Sequence, residues 1–110
     1  MSKNNLYKGC LEPLILKLLN DNGRMYGYEM TQKVKEITVG ELNITEGALY
    51  PLLHRLEADG ILSTEVESIG NRPRKYYKLT EKGEKQKSHA IAELHNFMRT
   101  LQLLLHPQTI

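Results

Sequence analysis

The sequence contains no tryptophan, one cysteine and one phenylalanine in 110 residues. A lone Cys10 excludes an intramolecular disulfide and leaves no thiol set for zinc. Set among Leu6, Leu11 and Leu14, it reads as a small core residue, with a reactive thiol as the other reading. Long apolar runs are also missing: nothing approaches the roughly 20 residues that a membrane-spanning helix needs. The opening segment MSKNNLYKGCLEPLILKLL is interrupted by Lys8, Glu12 and Lys17, so it lacks the uncharged centre of a secretory signal. A cytoplasmic protein with no membrane part is expected. No Gly-rich phosphate loop, HExxH or G-x-S-x-G pattern occurs. His89 and His95 are six apart and fall on different helix faces, while His54 and His106 lie elsewhere. The acids scatter without a paired arrangement, so no catalytic residue, metal or cofactor is expected.

What is present fits one ordinary globular domain: 40% hydrophobic, 25% charged, net charge +2. That mild positive charge decides nothing by itself. Its layout is more informative, because Asn71 to Lys87 is rich in Lys and Arg whereas Glu57 to Glu67 is acidic. The polarisation suits an anionic partner or a salt-bridged structural surface.

Leu11, Leu14, Ile15, Leu18 and Leu19 recur at helical spacing and stop at NDNG. Pro13 suits the opening turn of this first helix, leaving Leu6 to Cys10 as a separate short turn or helix. RMYGYEMTQKVKEI, with Met30, Val34 and Ile37 in phase, predicts a second helix that breaks near Gly40. Thr45 as N-cap and Gly60 as stop bound a third, with Pro51 expected to make its early turns irregular. ILSTEVES and RKYYKL around IGNRP predict a β-hairpin. Thr80 then caps a long last helix, from about Glu81 to Leu105.

On a helical wheel the third helix has a buried stripe of Leu49, Leu52, Leu53 and Leu56. Gly47, Pro51, His54 and Ala58 fall opposite, with Tyr50 and Arg55 at the flanks. Small residues let a backbone approach DNA, and Tyr50, His54 and Arg55 have the reach for base edges or phosphates. A face packed on another protein fits the same pattern. In the hairpin, alternation sends Tyr77 and Leu79 to the core and Arg74, Tyr76 and Lys78 to the open face. Arg72, Arg74 and Lys75 near its tip can meet phosphates, or guard an edge strand by charge. A helix-turn-helix followed by a basic hairpin is a winged helix.

GRMYGYEMTQKV, ITEGALYPLLHRLEADGIL and GNRPRKYYKLTEKG, in this order, closely resemble the PadR family of bacterial transcriptional regulators, over roughly Leu11 to Gly83. A single helix after the wing is similar to the smaller PadR subfamily. The resemblance implies a homodimeric winged-helix repressor that binds an operator and releases it when a small molecule binds. It implies a recognition helix over Thr45 to Arg55, with Thr45, Gly47, Ala48, Tyr50, Pro51, His54 and Arg55 as DNA-facing candidates. Arg74 and Lys75 would serve the wing. Tyr28 would touch phosphate or pack against the third helix. The expected fold is mainly α with a small β-hairpin: a winged helix-turn-helix DNA-binding domain over 1–80 and a C-terminal dimerisation helix and tail over 81–110, forming one unit.

The last helix supports a dimer independently. Ile91, Leu94, Met98, Leu101 and Leu105 alternate by three and four, with Ala90, Phe97 and Leu104 widening the stripe. A helix of this length spans roughly 37 Å, more than one small domain covers, although intramolecular packing is the other reading. A two-fold dimer predicts a pseudo-palindromic double-stranded operator. Some PadR relatives bind phenolic acids and others stack flat cationic drugs on tryptophans between the long helices. With no tryptophan here, that pocket does not carry over. Tyr7, Cys10, Phe97 and Met98 would line an effector cavity at the dimer interface or serve as ordinary core. Two rival functions stand beside the regulator: a winged-helix protein-interaction module and an enzyme subunit, the latter without a residue to account for turnover.

Overall fold

The computed structural model describes residues 6–106, so the first five residues of the expected 1–80 unit and the tail 107–110 lie outside the described residues. A 3-10 turn, Lys8–Cys10, leads into α1 (Leu11–Asn22). There follow β1 (Met25–Tyr26), α2 (Gly27–Ile37), α3 (Glu46–Ala58), β2 (Leu62–Ile69), β3 (Arg72–Leu79) and α4 (Glu81–Leu105). The three helices, the hairpin and the long helix stand in the order the sequence predicts. Both N-caps are formed: Thr45 Oγ1 accepts from the Ala48 N–H at 3.2 Å, and Thr80 Oγ1 from the Gly83 N–H at 3.0 Å.

Three expectations are corrected. Met25 and Tyr26 are not part of the second helix: they form a short strand, pairing antiparallel with Tyr77 and Tyr76, so the sheet has three strands in the order β1-β3-β2. The N–H of Tyr26, at the start of α2, donates instead to the Glu29 carboxylate at 3.2 Å. The helix α3 runs unbroken through Pro51. The carbonyl that Pro51 deprives of a partner belongs to exposed Gly47, where water can serve it. Ile37, in phase with Met30 and Val34, is 62% exposed, because α2 has left the core by its last turn.

Ile15, Leu16 and Leu19 of α1, Met30 of α2 and Leu49, Leu53 and Leu56 of α3 are fully buried, with Met25, Leu62 and Tyr77 closing the sheet side. Each such side chain contributes about 1.5–3 kcal/mol of burial, which fixes α3 by its leucine stripe and turns its opposite face to solvent. The wing ends in a two-residue turn, Gly70-Asn71, between the paired Ile69 and Arg72. Gly70 takes φ +63°, a conformation that a side chain there would strain. The long helix α4 packs on α1 and has two buried residues, Ala90 and Gly83, the latter against Ile61 and Leu79 at the base of the wing, and the molecule measures 63 × 30 × 21 Å.

Candidate nucleic-acid interface

The face of α3 opposite its leucine stripe is open: Gly47, Pro51, His54 and Ala58 are all exposed. Tyr50 is half-buried beside it, its ring lying against Gly27 at the start of α2. A Cβ on Gly27 would come within 2.5 Å of the Tyr50 hydroxyl oxygen, so this helix contact requires glycine. Tyr28 does not pack in the core. It is 60% exposed and lies along a groove of about 440 Å³ between the start of α2, the middle of α3 and the wing. Tyr28, Tyr50, His54, Arg72, Arg74 and Lys75 all line that groove, drawn together from three elements.

The two adjacent tyrosines of the wing divide as strand alternation predicts. Tyr77 is 2% exposed, and burial pushes its phenol pKa up. Tyr76 lies on the other sheet face, edge-on to Tyr26 with ring centroids 5.5 Å apart. The Arg74 guanidinium sits 4.2 Å over the Tyr26 ring, and Arg24 4.1 Å over Tyr76. Two rings are thus held between two cations. Tyr76 is the leading cause that raises the Arg74 pKa. The Arg24 side chain also reaches Glu65 at 2.9 Å and Glu67 at 2.6 Å, and Lys78 reaches Glu65 at 2.8 Å. Sequence reasoning missed Arg24 and Tyr26. Neither had a signal in the sequence, because Arg24 precedes a strand of only two residues, Met25–Tyr26, too short to show a period.

The nominated cations differ in freedom. The Arg72 side chain is exposed and has no hydrogen-bond or ion-pair partner among the described residues. Lys75 is tied down: its Nζ is 3.0 Å from Glu57 Oε1 and 5.4 Å from the Tyr77 ring centroid. The hydrogen bond between them raises the Lys75 pKa and lowers that of Glu57. Arg55 does not join the groove. Its guanidinium donates to Glu12 Oε1 at 2.7 Å, with Asp59 at 3.9 Å, and so faces α1. Glu12 Oε2 accepts from Gln86 of α4 at 2.9 Å. Burial raises the Glu12 pKa, but the hydrogen bonds from Arg55 and Gln86 and the Arg55 charge outweigh it, leaving a net lowering. Thr45, Gly47 and Ala48 line a separate groove at the N-terminal end of α3.

Of the nominated dimerisation residues, Ile91 and Leu94 are half-buried, while Met98, Leu101 and Leu105 are 51%, 39% and 72% exposed. Phe97, Leu103 and Leu104 extend the same apolar exposure, and nothing among the described residues covers it. Cys10 and Phe97 share a cavity of about 410 Å³ between the 3-10 turn, α1 and α4; Tyr7 and Met98 lie outside it. No helix among the described residues is long and apolar enough to cross a membrane, and no three of their His, Cys, Asp or Glu side chains are grouped to hold a metal.

The profile of the transcriptional regulator PadR-like family matches residues 15–89. A PadR-like transcription factor of known structure from Bacteroides fragilis is 41% identical, with a TM-score of 0.72 over 93% of this chain and 96% of that one. A PadR family transcriptional regulator from Eggerthella lenta DSM 2243 is 32% identical, with a TM-score of 0.77 over 94% and 85% of the two chains. The transcriptional regulator Rv3488 of Mycobacterium tuberculosis is 39% identical over 69 residues, 63% of this chain and 61% of that protein. The match spans α1, both helices of the helix-turn-helix, the wing and the start of α4, so the chain belongs to the PadR-like family of transcriptional regulators.

Proposed function

We infer that the chain acts as a homodimer that binds a pseudo-palindromic operator in double-stranded DNA and represses transcription there until a small molecule at the dimer interface releases it. The carrying observation is the convergence of Tyr28, Tyr50, His54, Arg72, Arg74 and Lys75 on one groove beside the open face of α3. With α3 in a major groove, Gly47 and Pro51 admit close approach, and Tyr50 and His54 face base edges. Arg72 and Arg74 then meet phosphates, where each neutralised charge releases counterions and makes affinity salt-dependent. Arg72 is free to do so, and Arg74 is pre-positioned over Tyr26. Pairing of the two α4 helices would cover Met98, Leu101 and Leu105 and set two copies of α3 on successive grooves. Release by a ligand requires that it favour one spacing of the α3 helices over the other. Ligand response and repression rest on family membership.

The test is fluorescence anisotropy with operator and scrambled duplexes over a salt series, beside sedimentation of the free protein. The reading expects a dimer, preference for the operator, and a shallower salt slope for Arg72→Gln with Arg74→Gln. Equal binding to both duplexes by the wild type would favour the protein-interaction module instead. A monomer that stays monomeric on DNA would remove the symmetric-operator part.

A further inference from the structure

Away from the wing, a second groove of about 350 Å³ is walled by the 3-10 turn and by the N-terminal end of α3, with Lys8, Asn43, Thr45 and Gly47 among its lining and no residue shared with the groove beside the wing. On the α3 wheel its Ala48 falls about 160° from the Tyr50 that meets the wing groove, on the opposite flank. Lys8 is exposed and has no carboxylate partner among the described residues, unlike Lys17, Lys75, Lys78 and Lys87, each held by an acid. Its backbone is nevertheless fixed. The Leu11 N–H donates to the Lys8 carbonyl, and Leu11 is buried in the core. Across the groove, Asn43 donates its side-chain amide to the Gly40 carbonyl at 3.2 Å, which ties down the loop before α3. A free cation thus stands on a firm base beside the exposed end of the helix that carries the open face.

A helix lying in a major groove about 12 Å wide has a phosphate backbone on each wall. The wing supplies cations to one wall. We propose that Lys8 is the phosphate contact on the opposite wall, so that α3 is clamped between the wing and the 3-10 turn. The proposal rests on α3 being the helix that enters DNA. The partner is the sugar-phosphate backbone of duplex DNA, so Lys8 adds affinity and fixes the bearing of α3 without reading sequence.

The experiment compares wild type, Lys8→Gln, Lys8→Arg and Lys85→Gln as full chains across a salt series, on the duplex from upstream of the protein's own gene, taken as operator, and on a scrambled duplex of equal length. Lys85 is an exposed α4 residue that lines neither groove and serves as the charge control. Expected for Lys8→Gln is weaker binding to both duplexes by a similar factor. Its log–log salt slope should fall by about 0.9 per lost contact, so about 1.8 for a dimer. Lys8→Arg should retain the wild-type slope, and Lys85→Gln should change nothing. If the wild type prefers the operator but Lys8→Gln keeps its slope, or if Lys85→Gln lowers it equally, the assignment of Lys8 fails alone. A wild type that does not distinguish the duplexes overturns the reading of α3, and Lys8 with it.

Discussion

Gly83 is the position where a local rule and the structure give opposite answers. It is the third residue of α4, and replacing a helical glycine by alanine ordinarily stabilises by about 0.8–1 kcal/mol. Here Gly83 is buried against the base of the wing. A Cβ would overlap the Ile61 carbonyl oxygen and lie 3.2 Å from Leu79 Cδ2. That carbonyl cannot give way freely, because it accepts from the Thr80 N–H at 3.1 Å, and the Thr80 hydroxyl, 3.1 Å away, is itself held to the Gly60 carbonyl at 2.6 Å. Thr80 Oγ1 in turn caps Gly83 itself at 3.0 Å. Overpacking costs about 1–3 kcal/mol and disturbing the cap about 1 more. Set against the propensity gain, Gly83→Ala should therefore destabilise by about 1–3 kcal/mol. For a chain of this size that lowers Tm by roughly 5–15 °C. Thermal melts followed by helical circular dichroism, at matched protein concentration because a dimer's Tm depends on it, would read the change. A Tm equal to or above that of the wild type would refute the claim that Gly83 is held by contact with Ile61.

Glu57→Gln should tighten DNA binding by a factor of a few, because Lys75 no longer trades its intramolecular carboxylate for a phosphate; an unchanged Kd would mean that Lys75 never turns to DNA. Val39→Asn should raise stability by about 1 kcal/mol in urea unfolding, since a β-branched residue at φ +53° is strained and this one, 92% exposed, packs on nothing. No gain would place the strain elsewhere. The folded pKa of Glu12 lies below its ordinary value of 4.5, so its contribution is present above that value and is lost as pH falls through the folded pKa. Wild type should accordingly exceed Glu12→Gln in stability at pH 7, with the gap closing on acidification; a gap independent of pH would contradict the pairing with Arg55 and Gln86.

The helices were legible because their apolar residues recur at 3.6-residue spacing and because two of them have local caps: Thr45 and Thr80 each bond a backbone N–H three residues on. Tyr77 was legible because alternation on a hairpin needs only the turn to fix its phase. Strand β1 was not, since two residues carry no period, and Met25 and Tyr26 are extended only because β3 lies beside them. The pairings of Lys75 with Glu57 and of Arg55 with Glu12 join residues 18 and 43 apart in sequence. A wheel or a strand pattern places such cations on a face but says nothing of which acid waits there. The Tyr26–Tyr76 stack with its two arginines was hidden for the same reason. The open face of α3 was readable from Gly47, Pro51 and His54. Its groove became visible only with Tyr28 and the wing folded against it.

Selection of binding sites from random duplex DNA by the purified full chain tests the central claim most directly. The account predicts enrichment of a two-fold symmetric site, with half-site centres about one helical turn, roughly 34 Å, apart. Enriched sites without two-fold symmetry, or no enrichment over the starting pool, would contradict it.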